Sequence, residues 1–199
     1  PGGKLSRAMP TERIVGCVVH LAASTPEPGL VSHNMGKRLV IGEPGGKNTA
    51  RSARLAEALT GARFETVVSD AIEKEFWVKL LGNVAFNPIS ALTSGTLEEL
   101  ARHPDVSRVV RDVMGETEAV AGKLGIELPI SIDQRMAGAE KVGAHKTSML
   151  QDYEAGRPME LEAVVGAVVE LGERLGVAMP ATRTLYACAK MLDEHRHRR

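Results

Sequence analysis

The sequence predicts an α/β segment followed by an all-α domain, and three observations carry that expectation. Up to about residue 68 the apolar residues come in short β-branched runs bounded by Pro and Gly. From Ser69 onward they recur at helical spacing. Only 3% of residues are aromatic, so Leu, Val, Ala, Ile and Met must build the core, a palette that suits packed helices. A length of 199 residues at 43% hydrophobic composition suffices for one or two compact domains.

In the first part, Arg13–Leu21 reads as a strand. Leu30–His33 and Arg38–Gly42 read as a hairpin around Asn34-Met35-Gly36-Lys37, whose Asn and Gly tolerate positive φ. A helix capped by Asn48 presents Ala53, Leu55, Ala56, Ala58 and Leu59 until Gly61, and Phe64–Val68 is a further strand. These elements form the tail of an α/β sheet whose opening strands are not in the chain. The Pro1-Gly2-Gly3-Lys4 start, with neither Met nor a leader pattern, reads as cut from something longer.

The second part opens with Ser69 or Asp70 capping a helix that reaches about Leu92. Further helices are expected at Asp105–Leu124, Ser131–Val142, Ser148–Glu154, Pro158–Leu175 and Pro180–Asp193. Gly125, Gly156 and Gly176 end helices, and Pro104, Pro158 and Pro180 lie at or near starts, where a missing N–H costs nothing. The change of period places the domain boundary near residue 68.

Composition narrows the function classes. Twenty-five Lys+Arg against 25 Asp+Glu leave no formal net charge, which argues against nucleic acid as a partner. No run approaches the ~20 apolar residues of a membrane span, so a soluble protein without a membrane partner is expected. Cys17 and Cys188 form neither a disulfide framework nor a metal spacing and read as reduced, buried thiols of a cytoplasmic protein. His195-Arg196-His197-Arg198-Arg199 is a basic cluster, read as a solvated terminus rather than a phosphate contact. Gly42–Asn48 resembles a phosphate loop but has one residue too few between its glycines and Asn48 where Ser or Thr should bind magnesium. No GxGxxG occurs, and the six histidines are scattered, so neither a triad nor a metal site is expected.

The long helix holds the informative anomaly. Trp77, Val78, Leu80, Leu81, Val84, Ala85 and Ile89 cover most of its circumference, yet Lys79, Asn83 and Asn87 recur at i, i+4 and i+8 as one polar stripe. Burying an ammonium and two carboxamides without partners costs several kcal/mol, so the stripe faces either water or a polar ligand. A buried lysine beside amides is also what carbonyl reduction needs: a proton donor for a developing alkoxide and hydrogen bonds to hold the substrate. A second constellation is Thr147-Ser148-Met149-Leu150-Gln151-Asp152 followed by Glu160. With Pro158 at the first helical position, Glu160 would be N3, where it could merely complement the helix dipole. Ser148 could likewise merely cap its helix.

Together, Phe76-Trp77-Val78-Lys79-Leu80-Leu81-Gly82-Asn83-Val84-Ala85-Phe86-Asn87-Pro88, Thr147–Asp152 and Glu160 resemble the ketopantoate reductase (2-dehydropantoate 2-reductase) family over roughly Ile14 to Leu192. The resemblance implies that residues 1–68 are the C-terminal remnant of a Rossmann-type NADP-binding domain. Residues 69–199 would be an all-α substrate domain similar to the C-terminal domain of 6-phosphogluconate dehydrogenase. It further implies that Lys79 protonates the C2 oxygen of a 2-keto acid as hydride arrives from NADPH. Asn83, Asn87 and Ser148 would hold the substrate, Glu160 would sit beside Lys79 and the cofactor, and Ala23 would lie near the nicotinamide. A homodimer is expected. Thr93–Glu98 offers no clear counterpart for a polar substrate contact that some members carry, and the glycine-rich loop is not in this chain. The chain alone should therefore neither bind NADPH tightly nor turn over. The competing expectation is a non-catalytic helical dimerisation module, in which Asp105–Leu124 and the Val164, Val165, Val168, Val169 and Leu171 face of the next-to-last helix bury against a second subunit.

Overall fold

The computed structural model describes residues 7–196. It divides into two compact units, one ending at Phe76 and one beginning at Trp77. The first holds a 3-10 turn, Thr11–Arg13, then β1 (Gly16–Glu27), β2 (Leu30–Gly42), α1 (Ala50–Gly61) and β3 (Glu65–Val68). The sheet order is β1-β2-β3: the first pair is antiparallel, and β2 and β3 are parallel, joined through α1.

The hairpin lies elsewhere than expected. β1 and β2 pair, with shifts of register, out to Glu27 opposite Leu30, so the turn is Pro28-Gly29, with Gly29 at φ +83°. Asn34–Lys37 lies inside β2, where the register jumps between the His20–Arg38 and Ala22–Met35 pairs. Gly36, at φ +71°, absorbs that irregularity, and a Cβ there would run into the His20 carbonyl oxygen. The positive φ read from sequence thus serves a bulge instead of a turn.

α1 is capped by Thr49, not Asn48, because Thr49 and Ser52 satisfy each other's backbone N–H groups in a capping box. The same Thr49 donates its hydroxyl to buried Glu43 at 2.6 Å, and Arg51 Nε donates to that carboxylate at 3.0 Å. Both strand alternation and helix spacing explain why the cysteines are exposed instead of buried. Cys17 is flanked in β1 by buried Gly16 and Val18, so it must face outward, and Cys188 precedes buried Ala189 on the outer side of the last helix.

α2 (Ile72–Thr93) contributes its first turn to the first unit and the remainder to the second. It starts later than Ser69 or Asp70, because the Ser69 hydroxyl accepts from Ala71 N at 3.1 Å and holds the chain in a turn ahead of the helix. Pro88 sits inside the helix, and its ring leaves one upstream carbonyl without a helical donor. An unanticipated short helix follows, α3 (Leu97–Arg102), opened by a capping box between Thr96 and Glu99. Then come α4 (Pro104–Lys123), α5 (Ile132–Val142) capped by Ser131, and α6 (Ser148–Glu154). A π-helical turn, Glu162–Gly166, leads into α7 (Ala167–Leu175), and α8 (Pro180–Arg196) ends the described chain. Pro104 and Pro180 stand at helix starts as expected, and Gly176 ends α7 in the left-handed region. Glu116 of α4 accepts from Ala181 N, Thr182 N and the Thr182 hydroxyl, so a carboxylate from a neighbouring helix caps α8.

The apolar faces once available for association are used internally. Val110, Val113, Met114 and Val120 of α4 and Val165, Val168 and Val169 of the α7 segment are buried in one core, with Val164 and Leu171 packed against it. The faces that would have supported an association module are therefore not presented to a second subunit. The expected readings of Pro1–Lys4 and of residues 197–199 in the basic cluster lie outside the described residues.

The Glu43 carboxyl is held below the usual carboxylate range by the Arg51 and Thr49 hydrogen bonds. A carboxyl whose folded pKa is depressed contributes stability above its ordinary value of 4.5 and loses it as pH falls through the lowered value. Melting curves recorded below pH 4.5 should show Glu43→Gln losing less stability on acidification than the wild type; parallel acid dependence would contradict this.

Candidate active site

α2 is apolar on nearly every side. Leu81, Val84 and Ala85 are fully buried, and Trp77, Phe86 and Ile89 almost so. Burial by this core is what stabilises the helix, since it holds the apolar faces against other apolar side chains. On the remaining side Lys79 and Asn83 are half-buried, and Asn87 is buried at 7% exposure. The structure therefore brings these three expected residues onto one line, and the line sinks inward toward Asn87. No side-chain hydrogen bond of Asn83 or Asn87 is found among the described residues.

Beside the stripe lies a residue that sequence reasoning missed. Arg135, one turn into α5, lays its guanidinium against Gly82, where a Cβ would collide with Nη2, Nε and Cζ. It also lies over the Phe86 ring at 5.9 Å from the centroid. Gly82 is one turn from Lys79 and one turn from Phe86, so Arg135 covers the flank of the same stripe. Burial pushes the Arg135 pKa down. The available signal was a glycine in the middle of a long apolar helix, which asks for a close approach by something.

Ser148 is exposed at the first position of α6, and Thr147 is the cap, accepting from Leu150 N at 3.2 Å. Ser148 is therefore relieved of the capping role considered for it. Glu160 is not an N3 residue. Arg157 is tied back to Asp152 by backbone and side-chain bonds of 2.8 Å, so Pro158 belongs to the link between helices. The first helical bond is accepted by the Glu160 carbonyl from Val164 N at 3.1 Å, which puts Glu160 at the N-cap. Met159 and Leu161 on either side are buried, and Glu160 between them is exposed. The π-helical turn follows at once, a distortion often found beside functional sites. Neither Ser148 nor Glu160 makes a side-chain hydrogen bond or ion pair among the described residues. Ala23 is exposed inside β1, which continues past it to Glu27. Among the described residues no group of three or more His, Cys, Asp and Glu could hold a metal, and no helix is long and apolar enough to cross a membrane.

The class of protein defined by these features has the closing strands of an α/β sheet followed by a helical domain with an inward-sinking polar stripe. The family model "Ketopantoate reductase PanE/ApbA C terminal" matches residues 71–193. The chain belongs to the ketopantoate reductase family. It is 42% identical over 196 residues to a 2-dehydropantoate 2-reductase of Mesorhizobium japonicum, covering 98% of this chain and 60% of that protein. It is 34% identical over 183 residues to the enzyme of that name from Halobacterium salinarum, again covering 60% of the relative. The crystal structure of 2-dehydropantoate 2-reductase from Methylococcus capsulatus superposes with a TM-score of 0.89 at 33% identity, covering 98% of this chain and 67% of that one. The chain thus spans about three fifths of the length of these curated relatives, and the fold is that of a Rossmann-type remnant followed by the family's helical domain.

Asn87 is a buried carboxamide with no side-chain hydrogen bond among the described residues. Asn87→Leu, which keeps the branching and the number of heavy atoms of the side chain, should leave the thermal midpoint unchanged or raise it, because it removes a polar group that lacks a fixed partner. A fall of several degrees in calorimetry would show instead that the amide supports the core.

Proposed function

We propose that the full-length protein reduces ketopantoate (2-dehydropantoate), or a closely related 2-keto acid, to the 2-hydroxy acid with NADPH. What carries this reading is the line of Lys79, Asn83 and Asn87 on a helix otherwise packed in apolar core. A free-standing structural helix gains nothing from such a line, whereas a carbonyl substrate uses every group in it. The relatives' shared name, 2-dehydropantoate 2-reductase, supports the substrate class.

NADPH, when bound, supplies the hydride. Lys79 gives the proton to the C2 oxygen as negative charge develops there, and the Asn83 and Asn87 carboxamides donate to substrate oxygens. Ser148, its hydroxyl freed from capping, donates to the carboxylate end of the substrate. Glu160 fits the ribose end of the cofactor: its exposed carboxylate is an acceptor for a hydroxyl, and the buried neighbours Met159 and Leu161 fix its place. Ala23 gives the nicotinamide a small side chain to lie against. The pyrophosphate finds no glycine-rich turn in this sequence, so residues 1–68 are assigned to the C-terminal portion of the NADP-binding domain and 69–199 to the substrate domain. A cytoplasmic homodimer acting in pantothenate and coenzyme A biosynthesis completes the proposal.

In the full-length protein, Lys79→Met should lower kcat by about 10²–10⁴-fold, the usual worth of a positioned general acid, while circular dichroism and the melting temperature stay at wild-type values. Near-normal turnover would overturn the assignment. Titrated with NADPH by fluorescence, the 199-residue chain alone should show no saturable binding in the micromolar range; saturation there would contradict the division proposed.

A further inference from the structure

We propose that Arg135 is the substrate-positioning residue that receives the carboxylate of the 2-keto acid, and that Gly82 is glycine to seat it. This rests on the reductase reading above and adds the origin of its preference for an acid. Four observations converge. The guanidinium occupies the space that any side chain at position 82 would fill. Its Cζ lies over the Phe86 ring, 5.9 Å from the centroid, and with Nε and Nη2 on the Gly82 side the Nη1 end is left for other partners. Among the described residues it has no carboxylate within 4.0 Å and no hydrogen bond, although ten other Lys and Arg side chains have such a carboxylate partner. Finally, the two α2 residues it approaches, Gly82 and Phe86, each lie one helical turn from a member of the stripe, Lys79 and Asn83 respectively.

The chemistry of the substrate requires such a group. A 2-keto acid carries a full negative charge one carbon from the carbonyl that accepts hydride. A lysine that gives up its proton during the reaction cannot be the lasting counter-charge, and a serine hydroxyl is neutral. A guanidinium stays charged throughout and meets a carboxylate with two parallel N–H···O bonds. A half-buried, unpaired cation is costly in the absence of ligand, so it is retained for what it binds.

The test compares a 2-keto acid with the matching 2-keto amide, which keeps the carbonyl and loses the charge, in the full-length protein with NADPH. Wild type should favour the acid in kcat/KM. Arg135→Met should lower that preference at least tenfold, chiefly through KM, and melt no lower than wild type. Gly82→Ala keeps the arginine but takes its seat, and should lower the preference in the same sense; Lys79→Met should slow acid and amide alike. An unchanged preference in Arg135→Met, or a marked fall in its melting temperature, would overturn the proposal while leaving the reductase reading intact. Wild type that reduces no 2-keto acid at all would overturn both.

Discussion

Burial of α2 is the constraint from which the rest follows. With Leu81, Val84 and Ala85 fully enclosed and Phe86 and Ile89 nearly so, the helix has no freedom to rotate its polar groups toward water. Rotation by a third of a turn would expose several large apolar side chains at roughly 1.5–3 kcal/mol each. Lys79, Asn83 and Asn87 are thereby fixed to one line by residues with no chemistry of their own. Polar groups held by a core in this way keep their places without a ligand, which is the condition under which hydrogen bonds and charges act most strongly on a reacting group.

Around that helix, local irregularities put the polar groups of the proposed site where regular structure would not. Arg157 bound back to Asp152 keeps Pro158 out of the helix. Helix formation then waits until after Glu160, which is exposed between two buried neighbours. Thr147 takes the cap of α6 and leaves Ser148 its hydroxyl. Gly82 is the counterpart in α2, a missing side chain that admits Arg135. In each case a residue with a plain backbone role releases the neighbour that can meet a ligand.

Much of this was legible in the sequence because two periods are simple to read. The 3.6-residue period of Trp77–Ile89 revealed both the buried faces and the stripe, and β-branched runs revealed the strands. Turn chemistry was harder. Gly36 has the positive φ its type suggested, but at a bulge, because pairing of β1 with β2 extends to Glu27, well beyond the expected strand end at Leu21. The capping box at Thr96 and Glu99 was present in the sequence, yet it opens a helix of only six residues, too short to show a period. The cysteines were misjudged because residue type predicts burial only on average, whereas position in the strand or helix decides it. Arg135 could not be found from its own surroundings in sequence, since its contacts are with residues some fifty positions earlier.

The central claim is that the stripe on α2 is the wall of a substrate site. Its most direct test is calorimetric titration of pantoate onto the full-length protein saturated with NADP⁺, comparing wild type with the Asn83→Ala, Asn87→Ala double variant. Loss of two hydrogen bonds to the ligand should weaken binding by about tenfold or more. Equal affinity in the two proteins would contradict the account.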